Sequence, residues 1–402
     1  MTISAPAAVP TFDLLLRGGT LVDPAQNLHA PGDLAIAGGR IAAVLPPGAP
    51  AEARRTLDVA GLLVVPGLID MHVHAFEGVI HFGVDIDAYC LGRGVTTALD
   101  LGSCGALTID GLCRYVIEPC RTRLFTLMHV SAKGMLGDLY GLPGVGDLDD
   151  LRYLDVPLAL RGIEAHRDRV LGVKIRLTDV LADGGRNELP ALLKARELAD
   201  AAGLPLVVHM PDSTLPLERI LAEMRPGDVL THVYHGRRCG ILDAAGRVLP
   251  AFRSKLADGL LLDVGHGVGS FSFQTARAAL EQDILPHYIS SDLHRYNTHG
   301  PVYDLVTTLD KFLHLGMDLN DVLLRATALP AKFLGLEGEI GTLRPGAAAD
   351  VTVLELRHGE FPLTDTLGRT EMGRRHLEPR YVVRAGRLHG ILPSGADFQS
   401  AK

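Results

Sequence analysis

Two histidines one residue apart close an apolar run in GLIDMHVHAFEG, residues 67 to 78. Residues two apart on a strand share a face, so His72 and His74 would stand side by side where the strand stops. Such a pair is either structural or half of a metal site. Similar positions recur downstream: Lys174 in GVKIRL, His209 in LVVHM, His232 in LTHVYHG, His266 in DVGHG and Asp292 in SSDLH each end an apolar run. Singly, each has a plain explanation, since a strand-end His can be a satisfied polar residue and an Asp often forms a turn or cap. A Lys inside an apolar strand is harder to dismiss, because burying an ammonium is costly unless it is paired or neutral. Convergence at one sheet edge would make these residues a site.

Imidazole nitrogen with carboxylate oxygen and no thiolate suits Zn²⁺ first, with Mn²⁺, Fe²⁺, Co²⁺ and Ni²⁺ as alternatives. Two His pairs would crowd a single ion that must keep an open position. Two divalent ions sharing a bridging ligand fit better. Lys174 then gains a purpose. A neutral amine adds CO₂ to become a carbamate, an anionic bridge, and both burial and nearby cations favour loss of the ammonium proton.

Positioning these groups requires repeated strand ends. From residue 64 onward the apolar runs are LVVPGLIDMHVH, GVTTALDLG, RLFTLMHVS, VLGVKIRLT, PLVVHM, VLTHVYHG, LLLDVGHG and HYISSDLH. Segments of helical period such as ELPALLKARELADAAG and ARAALEQDI lie between them. Alternation of this kind implies a parallel sheet, and eight runs imply closure as a (β/α)8 TIM barrel. An open doubly wound sheet is the alternative, but no G-x-G-x-x-G follows the first strand. Barrel enzymes carry their chemistry at the C-terminal ends of the strands, where all seven residues fall.

The chain ends read differently. LLLRGGTLVD, DLAIAGGRIAAVLP, GTLRPGAAADVTVLEL and RYVVRAGRLHGIL are short runs broken by Gly and Pro, of the type that pairs antiparallel. The expected organisation is a small β-sandwich domain from residues 1–66 and 340–402 beside a barrel at 67–339. Residues 131–155 read as a long loop able to form a lid, and SGADFQSAK as a frayed tail.

Composition narrows the function. Among 402 residues, 47% are apolar and 21% charged, with a net charge of −8, as in a soluble globular protein without a nucleic-acid or anionic-membrane surface. No run approaches the roughly 20 apolar residues of a membrane span. The start lacks a signal-peptide pattern, and five scattered cysteines suggest no disulfide framework, so a reduced, cytoplasmic protein is expected.

PGLIDMHVH, Lys174, His209, His232 and Asp292, in that order, resemble the amidohydrolase superfamily over essentially the whole chain. The resemblance implies a distorted barrel with two divalent metals. His72, His74 and Asp292 would bind the buried ion, His209 and His232 the exposed one, and carboxylated Lys174 would join them. It also implies a metal-bridging hydroxide as nucleophile, since two cations lower the pKa of shared water to about 7. Asp292 would act as general base and then acid. His266 or Tyr234 would help polarise the scissile carbonyl, and Lys133, in SAKGMLG, would contact an anion. Each competes with a structural role, the last with a solvated loop lysine. His235 and His294 could hold ligands in place. Cys104, with no evident base partner, reads as packing.

Within the superfamily, GVTTALDLGSCGA, LLLDVGHGVGSFSF and ISSDLHRYNTHGPVYDL look like the dihydroorotase-like deacetylase branch, which includes acetyl-(R)-mandelate deacetylases. A dihydroorotase usually has Arg two residues beyond the second His, where this chain has Phe76. The resemblance thus implies hydrolysis of an acyl ester or amide of a small carboxylate-bearing molecule by a homo-oligomer. Cyclic-amide hydrolysis and a non-catalytic scaffold are the alternatives.

Overall fold

The computed structural model describes residues 11–136 and 146–393. Seven parallel strands follow one another in chain order: β1 (Leu68–Val73), β2 (Val95–Asp100), β3 (Arg123–His129), β4 (Val170–Arg176), β5 (Leu206–His209), β6 (Val229–Thr231) and β7 (Leu261–Asp263). β1 and β2 are buried at every residue, as strands covered on both faces must be. Helices cover the outside. Glu188–Ala202 buries Ala191, Ala195, Leu198 and Ala202 along one stripe and ends at Gly203, whose φ of 62° suits a glycine cap.

The eighth run closes the ring without forming a regular strand. Tyr288 bridges Asp263 and Leu293 bridges Val73, both in parallel sense. Backbone bonds from His74 N to Leu293 O (2.9 Å) and from Leu293 N to His72 O (3.2 Å) complete the join. Asp292 has φ 51°, in the left-handed region that interrupts a ladder, and two serines precede it. The barrel is therefore closed but distorted.

Inside it, Ile69, Met71, Leu99, Leu127, Val207 and Val229 pack together, a cluster drawn from strands on opposite sides of the lumen. Met71 belongs to this layer, yet His72 and His74 also face inward. The register between β1 and β2 shifts between Asp70 and Val73, and this irregularity reverses which residues point in. β4 does the same against β3, where the pairing shifts between Thr126 and Met128. Leu171 packs against the apolar layer below, and Lys174 enters the lumen above it.

Both chain ends build one eight-stranded sheet. Antiparallel pairing, the sequence expectation, holds for most of its ladders. Thr11–Asp23, however, pairs in parallel with Glu52–Asp58 and Leu63–Pro66, so the sheet is mixed. Its own core includes Leu14, Leu34, Ile36, Val64, Val351 and Val383. The middle of the expected lid, 137–145, and the tail from 394 lie outside the described residues. Among the described residues, no helix is long and apolar enough to cross a membrane.

Candidate active site

The C-terminal strand ends open on a cavity of about 130 Å³, lined by His72, His74, Lys174, His209, His232 and Asp292. A larger groove of about 970 Å³ lies at the opposite end, beside residues that precede β5, β6 and β7. Its arginines and aspartates are paired to each other: Arg196 with Asp228 at 2.6 Å and with Asp200 at 2.8 Å, and Arg225 with Asp200 at 2.5 Å.

Each of the four imidazoles is pinned at one ring nitrogen. His72 Nδ1 lies 3.0 Å from Asp263 Oδ2, and His74 Nδ1 lies 3.0 Å from Ser103 Oγ. His232 Nδ1 donates to Gly265 O at 2.6 Å. These bonds leave Nε2 as the available donor on all three rings. His209 is turned the other way, with Nε2 against Thr178 Oγ1 at 3.1 Å, leaving Nδ1. Outer partners that fix ring orientation are what a metal ligand requires.

Asp292 Oδ1 sits 3.3 Å from His72 Nε2 and 3.2 Å from His74 Nε2. One donor atom from each of these three residues lies within 4.8 Å of the others, close enough to share an ion. His72 and His232 rings are 5.0 Å apart, and His209 and His232 rings 4.4 Å. Asp292 and His232 both hold positive φ, 51° and 67°, a conformation costing on the order of 1 kcal/mol or more for a non-glycine residue. Asp70 maintains this region by accepting hydrogen bonds from the backbone and hydroxyl of Ser291.

Burial pushes His74 down to about 3 and His72, His209 and His232 well below the ordinary imidazole value. All four rings are neutral at pH 7, the form that ligates a cation. Burial also lowers Lys174 to about 7. Its Nζ is buried and, among the described residues, has no hydrogen-bond partner. A readily deprotonated amine amid neutral imidazoles and a carboxylate fits a divalent-metal centre, and fits no apolar packing role.

Three sequence-predicted residues lie elsewhere. His266 accepts from Lys311 Nζ at 2.6 Å, donates to Gly267 O at 2.9 Å and stacks on Phe271. It braces the barrel, because the left-handed glycines 265 and 267 turn the chain outward on either side of it. Tyr234 is fully buried, its Oη donating to Ile284 O at 2.9 Å, because the chain reverses at His232. Lys133 donates to Gly146 O at 2.8 Å and lies over the Tyr153 ring, away from the cavity lining. Cys104 is buried against Thr126, with burial raising its thiol, as packing requires.

His294 does line the cavity, whereas His235 does not. Residues that sequence reasoning misses also line it: Arg176, Thr178, Arg237, Phe82, Leu181 and Tyr296. Phe76 is absent from the lining and packs in the main core. Arg176 carries a readable signal, standing two residues beyond Lys174 on the same strand face.

Comparison with known proteins agrees with this architecture. Residues 242–389 match the amidohydrolase family. A deacetylase of Agrobacterium fabrum is 32% identical, over 87% of this chain and 85% of its own length. Among solved structures, an adenine deaminase superposes with a TM-score of 0.86 at 30% identity, covering 94% of this chain and 100% of the other. A dihydroorotase superposes with a TM-score of 0.84 at 29% identity, covering 95% and 98%.

Proposed function

The chain belongs to the amidohydrolase family, and from that premise we propose that it is a metal-dependent deacetylase acting on an acyl ester or amide of a small carboxylate-bearing molecule. One observation carries the reading: four imidazoles, each pinned at one nitrogen, converge with Asp292 and the unpartnered Lys174 Nζ on one cavity. His72, His74 and Asp292 would hold one divalent ion, His209 and His232 a second, and a carbamate on Lys174 would join them, with Zn²⁺ the ion this donor set suits first. Such ions polarise a carbonyl and lower the pKa of coordinated water to about 7.

The chain's own groups do the rest. Asp292 takes the proton of the attacking water and returns it to the leaving oxygen or nitrogen. His72 Nε2 and His74 Nε2 face Asp292 Oδ1 at 3.3 and 3.2 Å, so the three would meet on one shared ion rather than bond to each other. Phe82 and Leu181 give the cavity apolar wall, restricting water around the scissile bond. The five free cysteines suit a reducing compartment, and we place the enzyme in the cytoplasm as a homo-oligomer.

The deacetylase name of the Agrobacterium relative supports acyl removal over the alternatives. Cyclic-amide hydrolysis is the second reading, favoured by the dihydroorotase structure. Against it, Phe76 stands in the core where a dihydroorotase usually presents a carboxylate-binding arginine. The test is a screen of metal-replete protein against O-acetyl 2-hydroxy acids, N-acetyl amino acids, dihydroorotate, hydantoins and adenine. Turnover of acetylated acids is expected. Asp292→Asn should lose roughly 10²-fold or more in kcat while keeping its fold. Turnover confined to the cyclic amides or to adenine would overturn the deacetylase reading.

A further inference from the structure

We propose that Arg176 is the residue that recognises the substrate's carboxylate, and that Asp147, from the long loop after β3, is its positioning residue. This deepens the function proposed above and rests on it for the identity of the substrate class.

The placement comes from β4. Arg176 follows Lys174 by two residues, shares its face, and is the cross-strand partner of His209 on β5. It therefore stands one layer nearer the mouth than Lys174, at the height of the outer histidine. It is buried at 6% exposure and lines the same cavity.

Its bonding is incomplete. Nε donates to Asp147 Oδ2 at 2.6 Å, and Nη2 lies 2.6 Å from that same oxygen. The Nη2 geometry is not that of a hydrogen bond, and among the described residues this buried atom has no acceptor. Asp147 Oδ1 is likewise buried without a donor. The Phe82 ring lies 5.7 Å from the guanidinium carbon. One carboxylate oxygen and an aromatic face thus hold the head in place while leaving donors unused. A buried guanidinium in that condition is costly to keep, and a planar anion presented from the cavity would satisfy it through two parallel bonds.

Charge favours the same occupant. Arg237, at the rim, is half-exposed and paired with Asp212 at 3.1 Å. Arg176, ion-paired with Asp147, is the buried cation beside the proposed reaction centre, where Asp292 is the one lining carboxylate among the described residues. The cavity's size, about 130 Å³, suits a carboxylate on a small skeleton. Phe82, Leu181 and Val268 offer apolar contact to a substituent on that skeleton.

The test pairs each acetylated acid with its neutral carboxamide and compares kcat/KM for wild type, Arg176→Lys and Arg176→Gln. The wild type should prefer the acid, and Arg176→Gln should collapse the acid-to-amide ratio by roughly 30-fold or more, through KM. Arg176→Lys, which keeps the charge and the volume, should lose the preference in part, because an ammonium lacks the planar fork. Asp147→Asn should raise KM for the acid with little change in kcat. A second readout needs no turnover: calorimetric binding of phenylacetate against phenylacetamide to chelator-treated protein. Arg176-dependent preference for phenylacetate supports the proposal even if no acyl compound is hydrolysed, an outcome that would overturn the deacetylase reading alone. An acid preference, in turnover and in binding, that survives in both folded Arg176 variants overturns the proposal and leaves that reading standing.

Discussion

His72 Nδ1 is 3.0 Å from Asp263 Oδ2, and both side chains are buried at the end of their strands. Asp263 is itself held by Thr231 Oγ1 at 2.6 Å and Ser290 Oγ at 2.5 Å. The carboxylate therefore fixes the His72 tautomer and aims Nε2 at Asp292. Asp263→Asn would keep the shape but lose the charge that orients the ring. Metal affinity should fall about 10- to 100-fold. Competition titration with a chromophoric chelator measures this; unchanged affinity would show that Asp263 serves packing alone.

Lys174 reaches the lumen because Gly102 leaves room for it. A Cβ at Gly102 would lie 2.6 Å from Lys174 Cβ, and φ there is +82°. Gly102→Ala should displace the lysine and lower the fraction of protein carrying one added CO₂. Native mass spectrometry reads that increment directly, with metal content as the companion measurement. Full carbamate occupancy in the variant would contradict the steric argument.

The candidate ligand set is legible because its residues stand at the ends of apolar runs, where a sequence shows them. The turns beyond the strand ends are less legible. In LLLDVGHG the eye goes to His266, yet Asp263 ends β7 and holds His72, and two left-handed glycines carry His266 away. Tyr234 leaves the site through the same kind of reversal, at His232. The register shift in β1 is equally invisible to period counting, although it is what brings His72 and His74 inward above Met71. Arg176 needs only the two-residue rule that pairs the first two histidines. The eighth run loses its ladder to the left-handed Asp292, so a correct count of eight segments yields seven strands.

Lys311 is fully buried, and its Nζ donates to His266 Nε2 at 2.6 Å, Pro301 O at 2.8 Å and Thr364 O at 2.8 Å. Three donors meet three acceptors, tying the loop after β7 to the strand Val351–Thr364 of the chain-end sheet. Lys311→Met preserves volume but strands those acceptors. Stability should fall by about 2–4 kcal/mol, since each orphaned buried group costs roughly 1–3 kcal/mol and some will rehydrate. Urea denaturation measures it. A loss below about 0.5 kcal/mol, the usual scale of surface substitutions, would mean the knot contributes nothing beyond packing.

Acid should destabilise the metal-free protein. Burial holds His72, His209, His232 and His266 well below 6.5, His74 at about 3, and His129, His235 and His294 at about 4. Unfolded imidazoles titrate near 6.5, so below that pH the unfolded chain binds more protons and the folded state loses stability as pH falls. Asp70, Asp263 and Asp310 act in the opposite sense, raised chiefly by burial to about 7, 6 and 6. With His287 and His389, ten lowered imidazoles outnumber four raised carboxylates, Asp228 included, and the one raised imidazole, His376, so the net slope stays positive with pH. Lys174, lowered to about 7 by burial, adds stability as pH rises from there toward its unfolded value of 10.5. The urea midpoint of chelator-treated protein should therefore drop steadily from pH 7 to pH 5. A midpoint that is flat or rises on acidification would show that these rings are charged or solvated in the folded chain, and the neutral-ligand geometry of the site would fail with it.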